Sequence, residues 1–137
     1  HRDLHSFPTR RSSDLTDTEH KDMADPRLLQ LCQNADVLYY DAQYTPEEYV
    51  GKPGSLTGNM PKFDWGHSTY EWGIRNALAS NIKTLVLGHH DPLRDDFKME
   101  ELLARSLSFL EQELQNPGNK DKSLEVKVAY QGMEHRL

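Results

Sequence analysis

The segment TLVLGHHDP, residues 84–92, begins with a clear β-strand signal and ends in turn-forming and polar residues. Its apolar run 84–87 has the length expected of a buried strand. A second β-prone run, residues 37–40, leads in the same way into Asp41. The chain therefore presents two predicted buried strands, and each ends at residues that are able to perform chemistry.

Helix signals precede, separate and follow these strands. Asp25-Pro26 predicts a helix that ends near Asn34, because Asp is a favourable N-cap and Pro suits the first helical position. Ser68 and Glu71 have the spacing of a capping box, which predicts a helix that starts just after His67 and runs to about residue 80.

The longest predicted helix starts at Asp95 or Asp96 and ends at residues 116–118, Asn-Pro-Gly. Its apolar residues recur at helical spacing, and they are Met99, Leu103, Leu107, Leu110 and Leu114. Residues 124–128 then alternate apolar and charged side chains, which predicts a half-exposed edge strand. Alternating strands and helices indicate an α/β fold with helices packed on a sheet.

Residues 45–65 contain three prolines and three glycines and are predicted as one long loop. Long ordered loops in compact domains are often functional. Tyr49, Phe63 and Trp65 lie in it just before His67. These aromatic side chains are suited to cover a nucleobase, and ordinary loop packing explains them equally well.

Composition excludes several classes of protein. The chain has 137 residues, about one domain, and a net charge of −6 without a basic block, which argues against a general nucleic-acid coat. The single cysteine, Cys32, excludes an internal disulfide and a multi-cysteine zinc site. A single cysteine without a disulfide partner in the chain fits a reducing compartment, so we expect a cytoplasmic protein. No apolar run approaches the roughly 20 residues of a membrane span, so no membrane partner is expected.

The first fifteen residues, HRDLHSFPTRRSSDL, show no hydrophobic period. Residues 6–15 resemble the conceptual translation of a common sequencing-library adapter. We therefore predict that residues 1–15 are a non-native or disordered tail that packs against nothing, and that the fold begins at Thr16.

Four candidate site residues lie where chemistry usually occurs in layered α/β folds. Asp17, Asp41 and His89 each fall at the end of a strand or likely strand position, and His67 lies at the start of a helix. Each has an ordinary explanation: Asp41 as a turn residue, His67 as the residue before a capped helix, and His89 and His90 as solvated loop histidines. Together they suit the ligands and proton carriers of a divalent-metal hydrolase.

Four motifs occur in an order that resembles the metallo-β-lactamase superfamily, close to its ribonuclease Z-like and cyclic phosphodiesterase-like branches. They are TDTE at 16–19, YDAQYT at 40–45, GHST at 66–69 and LGHHDP at 87–92. The resemblance covers residues 16–137. It implies that this region is the C-terminal half of a four-layer αββα sandwich.

The resemblance also implies roles for individual residues. Asp17 would bridge two divalent metal ions, expected to be zinc, and His89 would be a terminal metal ligand, whereas His90 would not be a ligand. Asp41 and His67 would be an acid–histidine pair, in which His67 protonates the leaving group. We therefore expect Asp41 and His67 to lie within about 3.2 Å of each other.

One departure from the family is large. The His-x-His-x-Asp-His cluster that supplies most of the two-metal site does not occur in this chain. We therefore expect the other ligands to lie in a missing N-terminal half, and the chain by itself to be inactive. The expected substrate of the intact protein is a small phosphodiester or nucleotide, RNA is a further candidate, and the sequence carries no signal for homo-oligomerisation.

A non-catalytic module is the alternative. Asp41 at a strand end, followed later by Ser68 and Thr69, superficially resembles the phosphoacceptor site of a receiver domain. Receivers also need an acidic pair after the first strand and a lysine after a late one. Here Asp91 and Pro92 occupy the place of that lysine, which makes this reading the weaker one.

Overall fold

The structure is a computed structural model that describes residues 12–15, 26–53, 60–63, 65–130 and 133. Its strands are β1 (Ser12–Leu15), β2 (Val37–Asp41), β3 (Thr84–Gly88) and β4 (Glu125–Val128). Its α-helices are α1 (Pro26–Cys32), α2 (Pro46–Val50), α3 (Tyr70–Ala79) and α4 (Asp96–Leu114), and a 3₁₀ turn spans Pro117–Asn119. No helix in these ranges is long and apolar enough to cross a membrane.

The strands form one parallel sheet in the order β1-β2-β3-β4. Two parallel strands that are adjacent in a sheet must be joined by a crossover connection. When the strands follow one another in the sheet in chain order and the crossovers are right-handed, the connecting helices lie on one face of the sheet. Accordingly α3 packs on β2 and β3, α4 packs on β4, and the two helices contact each other. The α/β class expected from the alternating pattern is confirmed.

The core lies between this sheet face and the two helices. Alternate residues of the central strands, such as Leu38, Tyr40, Leu85 and Leu87, are at most 1% exposed and pack with Ile74 of α3. Burial of such side chains is the main favourable contribution to folding. The predicted strand runs are therefore the centre of the domain, and both end at the same edge of the sheet.

The predicted boundaries of α4 are confirmed, but the predicted apolar stripe is partly wrong. Asp95 is the N-cap, and its side chain accepts a hydrogen bond from the backbone N–H of Lys98. The buried residues of the helix are Leu102, Ser106 and Leu110, whereas Leu107 is 45% exposed. The Ser106 hydroxyl donates a hydrogen bond to the carbonyl of Leu102. A polar residue can therefore be buried on the face of α4 that packs on the core, and the spacing of apolar residues could not predict this.

Two other expectations are corrected. Residues 12–15 were expected to pack against nothing, but they form β1 and pair in parallel with β2. Strand pairing uses backbone groups that most residues supply, and an edge position leaves Ser12 exposed. The remainder of the predicted tail lies outside the described residues.

The long loop predicted for residues 45–65 begins with a helix. Thr45 and Glu48 form a reciprocal capping box, Pro46 occupies the first helical position, and Gly51 ends the helix with a left-handed φ of 77°. The capping pattern, Thr-Pro-Glu-Glu, was present in the sequence, and the helix was missed because only five residues separate the two caps.

Gly73 allows α3 to approach the sheet closely, and its replacement by alanine is expected to destabilise the protein. An added Cβ would lie 2.8 Å from Cδ1 of Tyr40 and 3.2 Å from Cδ2 of Leu87. Overpacking costs about 1–3 kcal/mol, and a 2.8 Å contact with a buried ring belongs to the upper part of that range, about 2–3 kcal/mol, whereas the helix propensity of alanine returns about 1 kcal/mol. We therefore expect Gly73→Ala to lower the free energy of unfolding in urea by about 1–2 kcal/mol.

Gly118→Ala is the matched control for this prediction. A Cβ at Gly118 would meet only Oδ1 of Asn116, at 4.0 Å, so the change in stability should stay within about 0.5 kcal/mol. Equal effects of the two substitutions would show that the packing of α3 on β2 and β3 is looser than described.

Candidate active site

Asp41 is the last residue of β2 and the centre of the site. The register pairs it with Gly88, the last residue of β3, so His89 follows immediately beside it. The Asp41 side chain is fully buried. Its Oδ1 accepts hydrogen bonds from the backbone N–H groups of Ser68 at 3.0 Å and Gln43 at 3.2 Å. These two contacts fix the carboxylate in one orientation and offset part of the cost of burying it.

The other oxygen of Asp41 joins two histidines. Oδ2 lies 3.0 Å from Nδ1 of His67 and 2.8 Å from Nδ1 of His89. The imidazole rings meet edge to face, with centroids 4.7 Å apart. The expected contact between Asp41 and His67 is thus present. The contact with His89 was not expected, because His89 was expected to bind a metal ion together with Asp17.

The backbone at the end of β3 directs His89 toward Asp41. His89 has a φ of 55°, which is uncommon for a residue other than glycine. Such conformations persist only where the surrounding structure imposes them, and they cluster at functional sites. The turn brings together two side chains that are 48 positions apart in sequence.

Ser68 holds the site together instead of capping α3. The predicted Ser68 cap is wrong: Thr69 is the N-cap residue and makes no side-chain cap hydrogen bond. The Ser68 hydroxyl instead lies 3.3 Å from the hydroxyl of Tyr40, which also accepts a hydrogen bond from Asn76 of α3 at 3.2 Å. Burial raises the pKa of Tyr40 to about 12, so the phenol stays neutral near pH 7.

This buried chain of hydrogen bonds links α3 to the carboxylate of Asp41. Sequence reasoning missed Ser68, Tyr40 and Asn76 as positioning residues. Their only sequence signal was that Tyr40 precedes Asp41 and Ser68 follows His67 in the same motifs.

The contacts with Asp41 set how both rings are oriented. A carboxylate oxygen accepts hydrogen bonds, so the Nδ1–H group of each ring donates a hydrogen bond to Oδ2 of Asp41. A substrate or a metal ion would then meet each ring at its other nitrogen, Nε2. A carboxylate bound to Nδ1 of a metal-binding histidine orients the ring and raises its basicity. Asp41 can therefore orient a metal ligand and a proton carrier at once.

The donor set fits a divalent metal ion. Ligand atoms of Asp41, His67 and His89 lie within 4.8 Å of one another. Carboxylate oxygen and imidazole nitrogen are ligands that zinc accepts. The distances of Asp41 Oδ2 from both Nδ1 atoms, 2.8 and 3.0 Å, are those of hydrogen bonds, whereas tetrahedral zinc with bonds of about 2 Å separates its ligands by about 3.3 Å. This geometry favours Asp41 as an orienting group.

Asp17 and His90 are the other residues that the sequence brings into question. Asp17 lies outside the described residues, so its expected convergence with His89 stays a prediction. His90 does not belong to the cluster of ligand atoms. Burial, together with the charge of Arg94, lowers the pKa of His90, so this ring is neutral near pH 7.

A buried ion pair ties the two loops of the site together. Nη2 of Arg94 lies 2.7 Å from Oε1 of Glu48 and donates a second hydrogen bond to the carbonyl of Gln43 at 3.0 Å. Both charged side chains are only 3% exposed. Glu48 also accepts the backbone N–H of Thr45 at 2.8 Å. Arg94 thereby connects the loop after β3, which carries His89, to the loop after β2.

The sequence matches no protein-family model and no curated protein. Its fold is similar to that of the metallo-β-lactamase fold protein YhfI from Bacillus subtilis, with a TM-score of 0.56 at 14% sequence identity. The match covers 88% of this chain and 37% of that chain. The similarity shows the fold alone: the chain has the α/β arrangement of part of a metallo-β-lactamase fold.

Proposed function

We propose that this chain supplies one side of the catalytic centre of a metal-dependent hydrolase that cleaves phosphodiester bonds in cyclic nucleotide or RNA-like substrates. The observation that carries the proposal is the group of Asp41, His67 and His89 at the carboxyl edge of a parallel sheet. Ligands commonly bind at this edge of α/β sheets. The single cysteine leads us to place the protein in the cytoplasm.

His89 would hold a metal ion through Nε2, with Asp41 orienting the ring, and Asp17 would be a bridging ligand. Two divalent ions, zinc being the expected one, would polarise the phosphoryl group and activate water. The chain spans only 37% of the length of YhfI. We propose that the remaining ligands belong to an N-terminal half, and that this chain alone is inactive.

His67 would be the general acid. Asp41 accepts a hydrogen bond from Nδ1 of His67 and would hold the ring in the orientation that a proton carrier needs. The ring can then transfer its Nε2 proton to the leaving oxygen as the P–O bond breaks. The His67 side chain is 18% exposed, so one part of the ring is open to a substrate and the rest is held in place.

A receiver-like role receives less support. A phosphoacceptor carboxylate must be reached by a phosphoryl donor, whereas Asp41 is fully buried and both of its oxygens accept hydrogen bonds. An assay with a small phosphoryl donor such as acetyl phosphate tests this role, and stable phosphorylation of Asp41 would favour it over the hydrolase.

Zinc titration tests the metal site. The chain as given is expected to bind zinc weakly, because a catalytic zinc site usually has three protein ligands and His89 and Asp17 are only two. A longer version with the N-terminal half restored is expected to bind about two ions tightly and to hydrolyse bis-p-nitrophenyl phosphate. In that version Asp17→Ala should lose more metal than Asp41→Ala.

Tight, stoichiometric zinc in the chain as given would contradict this assignment. It would mean that Asp41, His67 and His89 are all direct ligands of a complete site. A restored version that binds zinc but hydrolyses no phosphodiester would contradict the proposed reaction.

A further inference from the structure

An open pocket of about 590 Å³ lies beside His67 and has no role in the steps described above. Its lining residues come from the segment after β2, the segment before His67 and the loop after β3. They are Gln43, Tyr44, Met60, Trp65, Asp91 and Leu93, with Lys62 and His67 itself. A molecule that reacts at His67 would extend into this pocket.

The pocket is walled by large apolar side chains that the fold leaves in water. Met60 is 62% exposed, Trp65 50% and Leu93 67%. Nearby Phe63 is also 48% exposed, but its ring packs edge to face on Tyr49 with centroids 5.0 Å apart and does not line the pocket. Exposed apolar groups gathered around a polar site indicate a binding surface.

Trp65 is positioned by contacts of its backbone and of its ring. Its backbone N–H donates to the carbonyl of Lys62 at 3.3 Å, and the Lys62 N–H donates to the carbonyl of Tyr49 at 2.8 Å. The Lys62 ammonium lies 5.1 Å from the centroid of the Trp65 ring and supports it by a cation–π contact. The indole is therefore fixed from one side and still half exposed.

The polar groups in the pocket are suited to form hydrogen bonds with the edge of a planar ring. The side chain of Gln43 offers a donor and an acceptor, and Asp91 offers carboxylate oxygens, one of which accepts the N–H of Leu93 at 2.9 Å. Lys62 and Asp91 carry opposite charges. A neutral, flat group fits this surface better than a second phosphate does.

We infer that this pocket binds the base of a nucleotide phosphodiester, with Trp65 as the stacking residue and the scissile phosphate at His67. The inference rests on the proposed function and names its substrate class. Tyr44 lies at the junction, because its ring meets His67 edge to face at a centroid distance of 5.9 Å. Base stacking on an aromatic side chain is tolerant of base identity, so the pocket selects nucleotides over other phosphodiesters.

The chain has two tryptophans, and this permits a direct binding measurement. In Trp72→Phe the remaining fluorescence comes from Trp65, and in Trp65→Phe it comes from Trp72, which lies on α3 beside Arg75. The probes are AMP, ribose 5-phosphate and decyl phosphate, without added metal. We expect AMP to quench Trp72→Phe saturably, with an affinity about 5- to 150-fold higher than that of ribose 5-phosphate. Trp65→Phe should show no saturable change.

Equilibrium dialysis of AMP then compares Trp65→Ala with Trp72→Ala. Trp65→Ala should bind AMP about 5- to 150-fold more weakly than the wild type, and Trp72→Ala should bind AMP as the wild type does. Equal binding of AMP and ribose 5-phosphate would overturn the inference in favour of a phosphate site, and preferred binding of decyl phosphate would overturn it in favour of an apolar tail. Absence of any quenching in Trp72→Phe would overturn it outright.

The binding test needs no turnover, so it can fail separately from the proposed function. AMP binding to the chain, together with a restored version that hydrolyses nothing, would contradict only the hydrolase. Equal kcat/KM for nucleotide and non-nucleotide phosphodiesters in an active restored version would contradict only the base pocket.

Discussion

His67→Ala is expected to lower phosphodiester hydrolysis by about 10²–10⁴-fold in the version with the N-terminal half restored. The substitution removes the Nε2 proton that would reach the leaving oxygen. It leaves Asp41 hydrogen bonded to Ser68, Gln43 and His89. The metal content, measured by elemental analysis of the purified variant, should therefore remain nearly that of the wild type.

His89→Ala is the matched control, because its imidazole contacts the same oxygen of Asp41. This variant should lose metal together with activity. If His67→Ala also loses its metal, His67 is a ligand and not the general acid. If both variants retain metal and activity, the group formed by Asp41, His67 and His89 is structural.

Arg94→Met is expected to cost about 3–5 kcal/mol of unfolding free energy, the largest stability effect that we expect for a single residue. The substitution leaves Glu48 charged, buried and without its guanidinium partner. It also removes the hydrogen bond to the carbonyl of Gln43. Urea unfolding, followed by far-ultraviolet circular dichroism, measures the loss.

Two controls separate the buried charge from lost packing. Arg94→Met combined with Glu48→Gln should recover much of the loss, because glutamine is neutral and can still accept the N–H of Thr45. Lys83→Met breaks an ion pair with Asp36 in which the lysine is 76% exposed, and it should cost at most about 1 kcal/mol. An Arg94→Met cost as small as that of Lys83→Met would contradict the role of the buried pair.

The elements that were predicted correctly are those with strong local signals. The apolar runs of β2 and β3 and the Asp95 cap of α4 depend on neighbouring residues, and they were recognised at their positions. The short helix α2 had a local signal as well, the capping box of Thr45 and Glu48. It was missed because the prolines and glycines of residues 45–65 favoured a loop.

The errors arose where tertiary contacts overrode a local pattern. Ser68 and Glu71 have capping-box spacing, but Ser68 bonds to Asp41 and Tyr40 instead. On α4, Ser106 is buried and Leu107 exposed, because the contacting face is set by the sheet and α3 and not by the apolar spacing alone.

The sequence by itself determined the α/β class, the two central strands and the candidate residues Asp41, His67 and His89, because strand runs, caps and strand ends depend on local residue order. Only the tertiary structure decided that one oxygen of Asp41 contacts both histidines. That contact depends on the register between Asp41 and Gly88 and on the left-handed backbone of His89. The two contacts join residues that are 26 and 48 positions apart, and no local pattern in the chain encodes contacts over such distances.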